Sequence, residues 1–145
     1  MNKENVITIL EDTVEVELEL EDIGIEIVSV PEGIRLTVQD IRFVPNSADF
    51  LPEERQRLDL IAEALQQIPD RNFLVEGHAA ATGYPEIEMN LSIERSRRMV
   101  DELVSRGLSA SRFLYKGWGS DRPIGDNATD AGRRSNRRVE ITILE

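Results

Sequence analysis

The chain has 145 residues, with 28 Asp and Glu against 17 Lys and Arg, one His and no Cys. A chain of this length is one ordinary domain, or one with a short extension, and it buries roughly 68–70% of its unfolded surface without a metal or a disulfide. The missing Cys excludes thiol chemistry, the single His argues against an imidazole zinc site, and a net charge of −11 argues against general nucleic-acid binding.

No apolar run approaches the ~20 residues of a membrane span. Val6 to Leu10 is too short for a signal sequence, and there is no Cys to carry a lipid. A place outside the cytoplasm would therefore make this chain part of a longer parent protein.

Taken in order, Met1 to Val30 carries nine acids and one base, whereas Leu91 to Glu140 carries eleven bases and seven acids. We divide the chain accordingly into an acidic N-terminal β extension, residues 1–30, and a main domain, residues 31–145. Val14 to Glu21 alternates apolar residues with Glu, the pattern of a half-buried strand with a solvated face. Such a strand is either an edge guarded by like charges or a pairing surface for another chain. Ile25 to Val30 and Ile34 to Val38 flank Pro31-Glu32-Gly33 and read as a hairpin, with the second strand continuing through Ile41 to Phe43.

Leu51-Pro52-Glu53-Glu54 opens an amphipathic helix that runs to Ile68. Phe73 to His78 is a strand, followed by a small-residue loop from Ala79 to Gly83. The second helix is placed from an Asn90-Leu91-Ser92 cap to Gly107, a C′ glycine. Arg112 to Gly117 is a strand, Gly117 to Gly132 a loop, and Arg137 to Leu144 the closing strand. The fold class is α/β (α+β): a two-layer sandwich of a mixed sheet under two covering helices, preceded by an extra N-terminal strand or hairpin.

The chain has no G-x-S-x-G, Walker A or H-E-x-x-H motif, so no catalytic residue, metal ligand or cofactor is assigned. His78 and Glu76 share a strand face, but no nucleophile stands near them in sequence. The informative residues are basic. Arg95 falls three residues past Ser92, in what reads as a first helical turn, where the dipole disfavours a cation and an anionic partner is expected. Arg133, Arg134, Arg137 and Arg138 surround Asn136, and at least two of them are expected to pair with the surplus acids.

These motifs occur together and in order: Phe43, Ser47-Ala48, Leu51-Pro52-Glu53, Val75-Glu-Gly-His78, Asn90-Leu-Ser-x-x-Arg95, Gly117-x-Gly119, and Gly132-Arg133-x-x-Asn136-Arg-Arg-Val-Glu140. The set closely resembles the OmpA-like C-terminal domain over about Ile34 to Leu144. The resemblance implies a β-α-β-α-β-β core and non-catalytic binding of peptidoglycan in the periplasm, at the outer membrane or cell wall, with an envelope protein as a further partner. It implies that Arg95 reads the carboxylate of the stem peptide's diaminopimelate, with Arg137, Asn90 and Thr82 completing the pocket. The family's Gly-His-Thr-Asp stands here as Gly77-His78-Ala79-Ala80, so the position that takes the ligand's ammonium is Ala80. The expected consequence is weakened or altered recognition, with rescue by Asp49 or Glu86, or a fold kept for protein contacts alone.

Overall fold

The computed structural model describes residues 20–145. Most of the acidic Val14–Glu21 repeat lies outside the described residues; of that stretch, Leu20 is buried and begins a short helical turn over residues 20–22.

Five strands form one sheet: β1 (Ile25–Val30), β2 (Gly33–Gln39), β3 (Phe73–His78), β4 (Phe113–Gly117) and β5 (Arg138–Leu144). Their order is β1-β2-β5-β3-β4. Only β3 and β4 are parallel, joined by the long helix α2 (Pro85–Ser105), while the other neighbours are antiparallel. Helix α1 (Arg55–Gln66) follows a 3-10 turn at Pro52–Glu54, and a short helix α3 (Asp130–Asn136) precedes β5.

Alternation along the strands explains the layers. Ile34, Leu36 and Val38 of β2, Val139, Ile141 and Ile143 of β5, and Phe73 and Val75 of β3 point into one core with Leu58, Ile61 and Leu65 of α1 and Met99 and Leu103 of α2. Helix α2 lies close on the sheet because two strand positions lack a side chain. A Cβ on Gly77 would stand 2.3 Å from the Ser92 carbonyl oxygen, and one on Gly117 would stand 2.4 Å from the Ile93 nitrogen.

The opposite face of the sheet is polar yet mostly buried. There Glu140 lies across from Glu76 on β3 and Thr37 on β2, and His78 across from Arg138. His78 Nε2 lies 3.1 Å from Glu140 Oε1, while Arg138 Nε donates to Glu140 Oε2 at 3.1 Å. Glu76 does not touch His78 in this network; it accepts from Trp118 Nε1 at 2.6 Å, and Lys116 and Arg122 lie over the same indole.

Several sequence expectations hold: the mixed sheet, the two main helices and the hairpin, whose turn is Pro31-Glu32 with Val30 facing Gly33. Three boundaries differ. β2 ends at Gln39 rather than running to Phe43, because Asp40 takes a left-handed φ of 46° and turns the chain out of the sheet. The stretch read as loop up to Gly132 contains the start of α3, capped by Thr129 Oγ1, which accepts from the Gly132 N–H at 2.9 Å. Finally, α2 begins at Pro85, not at Asn90.

Candidate functional site

The early start of α2 changes the meaning of Arg95. Pro85 occupies the first turn, where its missing N–H is harmless, and Glu86 and Glu88 follow at the positive end of the dipole. Arg95 is thus ten residues into the helix, nearly three turns from its start. The dipole argument for an anionic partner does not apply there. Burial, and after it the neighbouring Arg137 guanidinium, instead push Arg95 below its ordinary value. The charge is still uncomfortable, but because of desolvation and repulsion.

Arg95 is held firmly. Its Nε donates to the Ser47 carbonyl at 2.9 Å, and the guanidinium lies 4.4 Å over the Phe43 ring. Phe43 in turn stacks on Phe50 at 4.5 Å, the two being joined by an isolated β-bridge. The segment between β2 and α1 is therefore a rigid shelf under the arginine. It is tied to the next element by Glu54, which accepts from the Arg42 N–H at 2.9 Å.

Above the shelf opens a cleft of about 510 Å3. Phe43, Pro45 and Leu51 supply apolar wall, and Arg42, Arg95, Arg134 and Arg137 supply guanidinium groups. Among the described residues its one carboxylate is Asp40, 3.6 Å from Arg137 and 3.8 Å from Arg42. The structure thus brings together Arg95 and Arg137 of the sequence-derived set.

The other three members do not line this cleft. Ala80 is buried, at 5% exposure, in the loop after β3. Thr82 is in the same loop, and both its N–H and its hydroxyl donate to Glu88 Oε2, at 2.6 and 2.8 Å. Asn90 is an exposed residue within α2 and not a cap. Of the proposed stand-ins for the missing acid, Asp49 is exposed near Arg98 at 4.0 Å and Glu86 is exposed in the first turn of α2. Three of the four C-terminal arginines do pair with acids: Arg133 with Asp130, Arg137 with Asp40 and Arg138 with Glu140.

Two residues organise the site in ways the sequence does not assign. Glu88 accepts from Thr82, from the Tyr84 N–H at 3.2 Å and from Ser120 Oγ at 2.6 Å. Burial by itself would raise its pKa, but these donors outweigh burial and hold it at about 2. Pro85 was the available signal, since Pro at the first helical position predicts the earlier start that turns Glu88 inward. Asn136 is the second. Its Oδ1 accepts from the Ile124 and Gly125 N–H groups at 2.7 and 2.8 Å, and its Nδ2 donates to Gly125 O and Asn127 Oδ1. Asn127 Oδ1 also accepts from the Ala81 N–H at 3.1 Å. This chain of amide groups ties the Ala80 loop to the residue that precedes Arg137.

The same stretch of chain, from the shelf to Arg137, is what known proteins share with it. The OmpA family profile matches residues 42–137. The chain belongs to the OmpA family. The peptidoglycan-binding protein ArfA of Mycobacterium tuberculosis (strain H37Rv) is 36% identical over 103 residues, 71% of this chain and 32% of that protein. The probable lipoprotein YiaD of Escherichia coli (strain K12) is 31% identical over 121 residues, 83% of this chain and 55% of that protein. The chain thus spans about a third to a half of the length of these relatives. Among solved structures, an outer membrane protein of Borrelia burgdorferi B31 superposes with a TM-score of 0.69 at 37% identity, covering 83% of this chain and 97% of its own. The cell wall anchor of the type VI secretion system of Pseudomonas aeruginosa gives 0.71 at 26% identity, covering 96% of both. These OmpA relatives are binding and envelope proteins rather than enzymes, in line with the non-catalytic expectation. No helix among the described residues is long and apolar enough to cross a membrane.

Proposed function

We propose that this OmpA-family chain is the peptidoglycan-associating domain of a longer envelope protein of the periplasm or outer membrane, with recognition of the stem peptide altered at its diamino acid. The observation that carries the reading is Arg95. It is a largely desolvated guanidinium, fixed on Phe43 and Ser47, that has no carboxylate within 4.0 Å among the described residues and lines an open cleft beside Arg137. A cation held in that state is poised for an anion from outside. Peptidoglycan binding by ArfA and the wall anchoring of the secretion-system protein support a wall peptide as its source.

Co-sedimentation of the whole chain with purified peptidoglycan tests the reading. The native protein should pellet, and Arg95→Ala should weaken binding by roughly 10- to 150-fold, the worth of a charge-assisted hydrogen bond of about 1.5–3 kcal/mol. Its thermal midpoint should stay close to that of the native protein, because the substitution also removes a desolvated charge. If the native protein stays in the supernatant, the alternative is a structural domain of an envelope complex. That alternative draws on the exposed Leu114 and Tyr115 of the edge strand β4.

Altered recognition rests on Ala80. Restoring a carboxylate, Ala80→Asp, is expected to raise affinity for a peptide with free diaminopimelate by about a decade. It should also lower stability by about 1–3 kcal/mol, since the position is only 5% exposed. A titration showing no gain would assign ligand choice to the arginine cleft rather than to the loop.

A further inference from the structure

We infer that Arg134, beside Arg95, makes the cleft a double anion site, whose preferred ligand group carries two carboxylates and no free ammonium. The inference deepens the wall-binding reading. It relies on that reading for the source of the group, a stem peptide whose side-chain amine is acylated, but not for the chemistry of the cleft.

Charge is the first argument. Four guanidinium groups and one carboxylate line the same cleft, in a chain whose overall charge is −11. The one acid among the described lining residues, Asp40, is already divided between Arg137 and Arg42, and Arg42 also pairs with Glu53 at 4.0 Å. Arg95 has its Nε on Ser47 and its face on Phe43, which leaves both terminal nitrogens free among the described residues. Arg134 is exposed and forms neither an ion pair nor a side-chain hydrogen bond among the described residues. Among the described residues an entering ammonium would meet an excess of like charge and no unpaired carboxylate in the cleft, whereas two carboxylates find the unpaired forks of Arg95 and Arg134, suited to bidentate contact.

Shape is the second argument. Phe43, Pro45 and Leu51 add apolar surface to the same cleft, which suits the short aliphatic chain linking two carboxylates. The buried methyl of Ala80 adds no acid on the neighbouring loop, in keeping with a ligand whose amine is already acylated. Arg134 falls outside the motif residues through which the chain resembles its family, so this second fork is read from the cleft rather than from the shared pattern.

Calorimetric titration of the whole chain at low salt provides the test. Four probes are needed: a diaminopimelate stem peptide with its side-chain amine acetylated, the same peptide with the amine free, the acetylated peptide with one carboxylate amidated, and inorganic phosphate. The acetylated dicarboxylate should bind about tenfold or more tighter than each of the others. Arg134→Gln, an exposed change that should leave the melting temperature unmoved, should remove that advantage without altering the affinity for the amidated peptide. The inference is overturned if the free-amine peptide binds as tightly as the acetylated one. It is equally overturned if phosphate matches the dicarboxylate, or if Arg134→Gln weakens all probes alike, since either result means unspecific attraction to a basic surface. If the probe ranking holds while intact peptidoglycan fails to pellet the protein, the double site stands and wall binding falls. If peptidoglycan pellets the protein but the ranking fails, wall binding stands and the double site falls.

Discussion

Asn136→Ala is expected to destabilise the protein by about 3–5 kcal/mol and to lower its thermal midpoint by roughly 10–20 °C. The side chain is fully buried, and its amide oxygen and nitrogen spend their whole hydrogen-bonding capacity on four partner atoms. Removing it strands two backbone N–H groups and the Gly125 carbonyl in a site that water enters poorly, at about 1–3 kcal/mol for each group left unmade, and leaves Asn127 Oδ1 with only its Ala81 donor. Local relaxation keeps the total below the simple sum. Asn136→Asp should be nearly as severe. It keeps an acceptor for Ile124 and Gly125 but turns a carboxylate towards Gly125 O and Asn127 Oδ1. Denaturant unfolding measures the loss. A change under about 1 kcal/mol would mean that the loop between β4 and α3 is held by something other than this amide chain. If the chain binds the wall as proposed, the same variant should lose that binding even below its melting temperature, because Arg137 follows Asn136 directly and loses its anchor.

The second large effect concerns Glu140, at the centre of the polar sheet face. Burial alone would raise its pKa, but His78 and Arg138 outweigh burial and hold it at about 2, against an ordinary value of 4.5. A carboxyl depressed on folding stabilises the native state above its unfolded pKa, and that contribution is lost as pH falls through the folded value. Stability should therefore decline between about pH 4.5 and pH 2, with Glu88, also held at about 2, acting in the same direction. Linkage assigns Glu140 about 2 kcal/mol of this decline once solvent screening is allowed for. Glu140→Gln should flatten its share of the acid slope. Glu140→Ala should cost about 3–5 kcal/mol at neutral pH, because Arg138, at 3% exposure, would keep a buried charge without its carboxylate. Unfolding free energies measured from neutral pH down through the acid range decide the point. An unchanged slope in Glu140→Gln would place the acid sensitivity elsewhere.

The site is only partly legible in the sequence. Arg95 and Arg137 stand out through motif spacing, and the structure puts both on one cleft. Asn90 does not line that cleft and is not a cap, because the Asn-Leu-Ser cap competes with Tyr84-Pro85 for the helix start and proline at the first turn prevails. The shift of start from Asn90 back to Pro85 also hides Glu88 from a sequence reading, since only the earlier helix turns it inward. Asp40 is hidden for a similar reason. A β2 carried on to Phe43 would leave it mid-strand, whereas the left-handed turn at Asp40 brings its carboxylate to Arg42 and Arg137.

The core elements follow from local pattern alone. Period-two apolar residues in β2, β3 and β5 and the helical spacing of Leu58, Ile61 and Leu65 state which face is buried, since burial of those side chains is the dominant favourable term wherever the strands are paired. Composition likewise excludes thiol chemistry and argues against an imidazole zinc site. Which charges meet is a different matter. Arg42, Arg95, Arg134 and Arg137 come from three separate stretches of chain, and Asp40 serves two of them. Electrostatic energy depends on distance and burial rather than on order along the chain. That is why a protein with net charge −11 folds around a cleft that is positive, and why nothing short of the packed fold reveals it.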